Sequence, residues 1–256
     1  MPGRLKILLL FILFSSLALA APKTKYAIVV SANAEWRIVK EKFKSQDFRQ
    51  SPWGEYFFIT WKISGKDEKL LFFHEGWGKT AAAGATQYVI DRFDPDVLVN
   101  IGTCGGFDGK AELFDVILAD RTVIYDIKEA MGDSREAIRD YSTDIDLSWL
   151  PDDSYPSPVR KSVLISADRD LVPSEIKWLS EEFGASAGDW ESASIAYTCK
   201  RNGKRLIILR GVTDIVTQQS GEAYNNFPLF EYRTGLVMSK LIDALPGWIG
   251  YLNRAK

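Results

Sequence analysis

At 256 residues, 26% charged and 46% hydrophobic, the chain has the composition of a folded globular protein and the length of one large domain or two small ones. A net charge of −2 with no Lys/Arg block excludes the electrostatic footprint of a nucleic-acid binder. One histidine (His74) and two cysteines (Cys104 and Cys199) are too few N/S ligands for a zinc centre, and no Gly-x-Ser-x-Gly elbow accompanies His74 to make a Ser-His-Asp triad, so neither a metal nor a cofactor is expected.

The N-terminus has the three parts of a secretory signal: Arg4 and Lys6, an apolar run over residues 7–13, and the small pair Ala18-x-Ala20 before Ala21-Pro22. The apolar stretch is shorter than the roughly 18 residues a membrane span needs. Residues 1–20 are therefore expected to be cleaved, leaving a secreted or periplasmic protein with no membrane contact. No cysteine lies near the cleavage site, which argues against a lipoprotein.

Residues 26–31 (YAIVVS) read as a buried strand, and 34–43 as a helix with Trp36, Val39 and Phe43 on one face. Residues 56–63 alternate as a strand, and Gly65-Lys66-Asp67 is the expected turn to a partner over 69–73. Gly76-Trp77-Gly78-Lys79 opens an Ala-rich helix to about Phe93, which Asp94-Pro95-Asp96 breaks. Residues 97–101 form a continuous apolar strand ending in the loop Gly102-Thr103-Cys104-Gly105-Gly106. Further strand is expected at 115–119 and 122–125. From about 128 to 160 the pattern weakens, and a long lid or surface loop is expected. Regularity returns with a strand at 162–167, helices at 173–183 and 191–201, a strand at 206–209, and a final amphipathic helix at 227–245. Strands alternating with helices imply an α/β sheet covered on both faces, and no linker or repeat interrupts one domain over about 23–256. Cys104 and Cys199 lie in apolar or glycine-rich settings that suit buried free thiols.

Two carboxylates stand out. Glu191 opens a helix, and Asp214 falls just past the strand at 206–209; such positions border the crevice where open α/β sheets bind ligands. Taken singly, each has a structural reading: Glu191 complements a helix dipole and Asp214 caps a turn. Glu35 reads equally as a solvated residue of a first helical turn, and Gly76-x-Gly78-Lys79 as either an anion cradle or a tight turn.

Taken together, Ser31-Ala32-Asn33-Ala34-Glu35, Gly76-Trp77-Gly78-Lys79, Gly102-Thr103-Cys104-Gly105-Gly106, Asp189-Trp190-Glu191 and Arg210-Gly211-Val212-Thr213-Asp214 resemble, in order and interval, the nucleoside phosphorylase/nucleosidase superfamily. Within it the pattern is similar to the methylthioadenosine/S-adenosylhomocysteine nucleosidases, over about residues 26–245. The resemblance implies a single-domain phosphorylase/hydrolase-like fold, a mixed central β-sheet with helices on both faces. It also implies a purine nucleoside as substrate and a homodimer in which aromatics of one subunit complete the other's pocket.

Carried onto this chain, the resemblance makes Glu191 the ligand of the ribose hydroxyls and Asp214 the acid that protonates purine N7. It makes Glu35 the residue that orients and deprotonates the attacking water. Arg210 falls near the water and ribose, Thr103 on the ribose pocket, and Tyr224 over the sugar or its 5′ substituent; Gly78, Gly105, Trp190 and Thr213 complete the substrate-binding set. N-glycoside cleavage builds oxocarbenium character, so an acid serves the leaving base and a carboxylate the sugar. Burial is expected to raise the Asp214 carboxyl, while Glu191 is expected to stay ionised.

The chain also departs from the pattern. Trp190 stands where a methionine is usual, and Phe114-Asp115 where Gly-Asp is usual. Asn100 stands where hexameric phosphorylases place an arginine, and Ser31-Ala32-Asn33-Ala34 replaces their phosphate loop. Water is therefore the expected nucleophile, with Arg37 and Lys79 the cations that could still reach phosphate. A phosphate-dependent phosphorylase and a secreted, non-catalytic nucleoside-binding or storage protein are the alternatives.

Overall fold

The computed structural model describes residues 23–255; the expected signal peptide lies outside the described residues. In chain order the elements are β1 (Tyr26–Val30), α1 (Asn33–Lys42), β2 (Arg49–Gln50), β3 (Glu55–Ile63), β4 (Lys66–His74), α2 (Lys79–Phe93), β5 (Val97–Phe107) and β6 (Val116–Ile124). They continue with α3 (Ser134–Tyr141), β7 (Thr143–Asp144), β8 (Arg160–Ser166), α4 (Ile176–Phe183), β9 (Ala185–Asp189), α5 (Ser192–Arg201), β10 (Arg205–Val216) and α6 (Phe227–Leu252).

The apolar runs are continuous because both faces of the sheet are covered. Tyr26, Ile28, Val30, Val97, Val99, Ile101, Ile207 and Leu209 face one core with Trp36 and Val39 of α1 and Met238 and Leu241 of α6. The alternate residues Ala27, Val29, Leu98, Leu206 and Ile208 face the other, with Ala82, Ala85 and Val89 of α2 and Ile195 and Ala196 of α5. The two-residue period of a strand thus sorts one hydrophobic run between two helical layers. This is the mixed central sheet, flanked by helices on both faces, that the sequence implies.

Strands β4, β1, β5 and β10 are parallel neighbours. Beyond β10 the order continues β6, β8, β9, and β9 returns to pair antiparallel with β5 at Gly105 and Gly106. The sheet therefore closes on itself around β5, β10, β6, β8 and β9. The C-terminal ends of the four parallel strands all open on the same edge, and every motif singled out above except Asp189-Trp190-Glu191 follows or ends one of them; that motif arrives at the same edge on β9.

Several boundaries differ from the expectations, each for a pairing reason. The β3–β4 turn is Ser64-Gly65 rather than residues 65–67, with both residues at positive φ (50° and 81°), the geometry of a two-residue hairpin. Gly102–Gly106 is not a loop. It continues β5 to Phe107 because β10 supplies a partner on one side and β9 on the other. For the same reason β10 runs on to Val216, so Asp214 lies inside a strand, next to a register shift between Val212 and Asp214. The expected strands at 115–119 and 122–125 are one element, β6, irregular between Ala119 and Arg121.

Residues 128–160 are not a lid. They hold α3 and β7, bury Ile138 and Thr143, and lay Tyr155 against Trp248 and Tyr251 of α6, with ring centroids 5.8 and 6.0 Å apart. None of them lines the large cavity described below. Strand β9 gave no sequence signal, because Ala-Ser-Ala-Gly-Asp has low strand propensity and is held by its neighbours β8 and β5. Helix α6 runs past the expected Leu245, through Pro246, since Trp248, Ile249, Tyr251 and Leu252 still bury an apolar face. Cys104 and Cys199 are buried free thiols, as expected.

Candidate active site

At the shared strand edge one guanidinium gathers three carboxyl groups. Arg210, on β10, has no solvent exposure. It lies 3.0 Å from Asp189, 3.5 Å from Glu35 and 3.6 Å from Glu191. Its Nε also donates to Ser192 Oγ (2.9 Å) and Asn100 Oδ1 (3.2 Å), and its Nη1 to the Thr103 carbonyl (3.3 Å). Gly102 makes room for this. A Cβ there would lie 2.3 Å from Arg210 Nη1 and 2.9 Å from Glu35 Oε1.

Each carboxyl is held by the backbone next to it. Glu35, in the first turn of α1, reaches back to the Ala32 amide (3.2 Å) and accepts from the Thr103 amide (2.6 Å) and hydroxyl (2.8 Å). It is 1% exposed and so is not a solvated helix residue. Glu191, at the start of α5, accepts from the Gly78 amide at 3.1 Å. Asp189 accepts from the Ser166 hydroxyl at 2.5 Å, from the amides of Glu191 and Ser192 at 3.2 Å, and from the Ser192 hydroxyl.

One cation cannot balance three buried anions. Burial, with the charges of Asp189 and Glu35 adding, pushes the Glu191 carboxyl well above its ordinary range against the pull of Arg210. This direction runs against the expectation that Glu191 stays ionised. Burial works against the charge on Arg210, but Asp189, Glu35 and Glu191 outweigh it.

Asp214 sits apart from this cluster. It is 7% exposed, and the Thr213 hydroxyl lies 3.1 Å from its Oδ1. Burial pushes its carboxyl up to about 6, against that hydroxyl's stabilisation of the charged form. The direction is the one expected of an acid.

Both groups open into one cavity of about 980 Å³. Of the expected site residues, Glu35, Thr103, Gly105, Trp190, Glu191, Thr213, Asp214 and Tyr224 line it. Arg210 and Gly78 do not; they act from behind the wall, on the carboxyl groups. Tyr224 is tied down by donating its hydroxyl to the Leu171 carbonyl. The two cations expected to be able to reach phosphate are paired with carboxylates, as is Arg169 of the cavity lining, 2.5 Å from Glu175. Lys79 pairs with Asp126 and lies 3.7 Å from Asp168, and Arg37, on the cavity rim, pairs with Glu231 at 2.7 Å.

Sequence reasoning missed three contributors. Asp189 was quoted only as a neighbour of Glu191, yet it is the carboxyl nearest Arg210. Trp77 packs its ring on Trp190 at the cavity wall, with centroids 4.7 Å apart. Glu75, fully buried beside the glycine turn, accepts from the Thr86 hydroxyl at 2.6 Å; burial pushes its carboxyl to about 8, against Thr86 and Arg210. The glycines around Trp77 and Glu75 were the available signal, since they mark a backbone brought close to a site.

The strand-end crevice, the gathered carboxyls and the closed mixed sheet define an α/β protein with its candidate active site at one sheet edge. A model of the phosphorylase superfamily matches residues 25–245, and the chain belongs to that superfamily. Among its relatives is the 5′-methylthioadenosine/S-adenosylhomocysteine nucleosidase of Thermotoga maritima, 30% identical over 173 residues, covering 66% of this chain and 75% of the relative. The nucleosidase of the same name from Halalkalibacterium halodurans is 25% identical over 214 residues, covering 80% and 91%. The fold matches that of Arabidopsis thaliana 5′-methylthioadenosine nucleosidase in apo form, with a TM-score of 0.69 at 20% identity, covering 92% of this chain and 98% of that one.

The raised carboxyl groups fix how stability depends on pH. A carboxyl whose folded pKa is raised binds more protons folded than unfolded, so its contribution is full below the unfolded value and is lost as pH rises through the folded value. For Glu75 that window runs from its ordinary 4.5 to about 8, and for Asp214 from 3.8 to about 6. His74, pushed down by burial, acts oppositely near its ordinary 6.5. Chemical denaturation should show stability falling on the order of a few kcal/mol between about pH 5 and pH 8. Glu75→Gln should flatten that slope; an unchanged slope would count against a neutral Glu75.

Proposed function

We propose that this protein is an exported purine nucleosidase, an N-glycosyl hydrolase that releases the free base and the ribose moiety. The observation that carries this reading is the division of one cavity between two kinds of carboxyl: Glu35, Asp189 and Glu191 gathered on Arg210, and Asp214 raised by burial without a cation of its own. Asp214 protonates N7 of the purine, which turns a poor leaving group into a neutral one. Its pKa near neutrality suits a general acid.

Glu35, fixed by the amides of Ala32 and Thr103, holds the attacking water and takes its proton. Glu191 binds the ribose hydroxyls. Held by the Gly78 amide and close to Arg210, it fixes the sugar while positive charge develops on the ribose as the glycosidic bond breaks.

Water serves as the nucleophile in this reading. Asn100 donates to the Val29 carbonyl and accepts from Arg210, while Lys79, Arg37 and the cavity-lining Arg169 are each paired with a carboxylate, which disfavours a phosphate dianion. The substrate is a purine nucleoside, either 5′-substituted like those named for the relatives or a simple one; Trp77 against Trp190 gives the wall a flatter, bulkier shape than methionine would. Exposed Trp77 (62%) and Phe227 (61%) on the rim support a homodimer whose second subunit covers them. Export follows from residues 1–20.

Four measurements test the reading. Asp214→Asn should lower the rate of base release from purine nucleosides roughly 10²–10⁴-fold without lowering the melting temperature. Nucleoside binding without release by the unaltered protein would favour a storage or binding role. Base release should proceed equally in phosphate-free buffer; strict phosphate dependence would make the protein a phosphorylase. N-terminal sequencing of the exported protein should begin at Ala21, and a retained Met1 would remove the cleavage.

A further inference from the structure

Glu75 is a buried carboxyl that the mechanism above does not use. It ends the β4 side of the glycine turn: its amide donates to the Val30 carbonyl of β1 (2.8 Å), and its Oε1 accepts from Thr86 of α2. Both Glu75 and Thr86 have no solvent exposure. The next three residues, Gly76-Trp77-Gly78, carry positive φ at both glycines (80° and 89°) and have no side-chain anchor of their own other than the Trp77 ring. At the far end Lys79 is fixed through its amide to Asp168 (2.8 Å) and its ammonium to Asp126. The turn is thus clamped at Lys79 on one side and at Glu75 on the other. Between the clamps, the Gly78 amide meets Glu191.

We propose that Glu75 is a positioning residue for ribose recognition: by latching β4 to β1 and α2, it holds the Gly78 amide on Glu191 and so aims that carboxyl at the sugar hydroxyls. The Ser31 hydroxyl, also buried, lies beside the carboxyl and favours its charged form, but the Thr86 bond is the carboxyl's one well-formed side-chain hydrogen bond. Cutting that tie frees the entrance to the turn without touching the cavity, which Glu75 does not line. The Gly78 amide then loses a fixed position, and Glu191 loses the donor that orients it. Glutamine keeps an oxygen for Thr86 and is neutral, so it preserves the latch.

The role rests on the ribose assignment of Glu191, so the test separates the two. The protein, Glu75→Gln, Glu75→Ala and Thr86→Val are titrated calorimetrically with adenosine and with 2′-deoxyadenosine, and adenine release from both is followed. The unaltered protein should prefer the ribonucleoside by about tenfold or more, as a hydrogen bond to a charged or strongly polar partner requires. Glu75→Ala and Thr86→Val should shrink that preference to about threefold or less, chiefly through a higher KM for adenosine, while Glu75→Gln keeps it. If Glu75→Ala does not fold, Thr86→Val carries the test, since it removes only the hydroxyl. Equal losses for both nucleosides, or a Glu75→Gln as impaired as Glu75→Ala, would overturn the proposal while leaving the nucleosidase intact. Ribose preference without adenine release would remove the hydrolase and retain the latch. Failure to bind either nucleoside would overturn both.

Discussion

The structure is organised around one buried cation. Arg210 sits with no solvent exposure against three carboxyl groups from three different elements: α1, β9 and the start of α5. Taking a guanidinium out of water is costly, and breaking such a buried pair typically costs about 3–5 kcal/mol because it strands an uncompensated charge. The surroundings accordingly satisfy almost every polar atom of the cluster. Asn100 and Ser192 take the Arg210 Nε, Thr103 caps Glu35, and Ser166 caps Asp189. The glycine at 102 exists to let the guanidinium and Glu35 approach the β5 backbone.

The charge imbalance at Arg210 is also what gives the cavity its chemistry. At Arg210, burial with the charges of Asp189 and Glu35 raises the Glu191 carboxyl against the pull of the guanidinium. At Asp214 burial leads, and the charges of Glu222 and Asp170 add to it against the Thr213 hydroxyl and Arg233. Two environments a few side chains apart thus raise two carboxyl groups in one pocket, with burial leading in both and different neighbouring charges acting on each. Glu75 extends the same logic outward: another buried carboxyl raised by burial, it accepts from Thr86 of α2 at the end of β4.

Much of this was legible before the fold. The continuous apolar runs YAIVV and LIIL, the Ala-rich helix after Gly78 and the order of the glycine motifs all survive in the structure, because hydrophobic pattern and helix propensity act over a few residues. Asp214, Glu191 and Glu35 were marked as candidates and do meet at one cavity. Glu35 was also readable as a solvated residue of a helical turn, since nothing within α1 shows that Thr103, some seventy positions later, closes over it.

What the sequence determined by itself is the set of local elements and the identity of the groups that can do chemistry. What only the tertiary structure decided is their pairing and their charge state. The strand at Ala185–Asp189, the extension of β5 through Gly106 and of β10 through Asp214, and the packing of residues 128–160 against α6 all depend on partners distant in the chain. The same holds for protonation. A carboxyl's pKa is set by how much water it loses and which charges lie within a few ångströms, and neither quantity exists until β1, β4, β5, β9 and β10 deliver their ends to one edge.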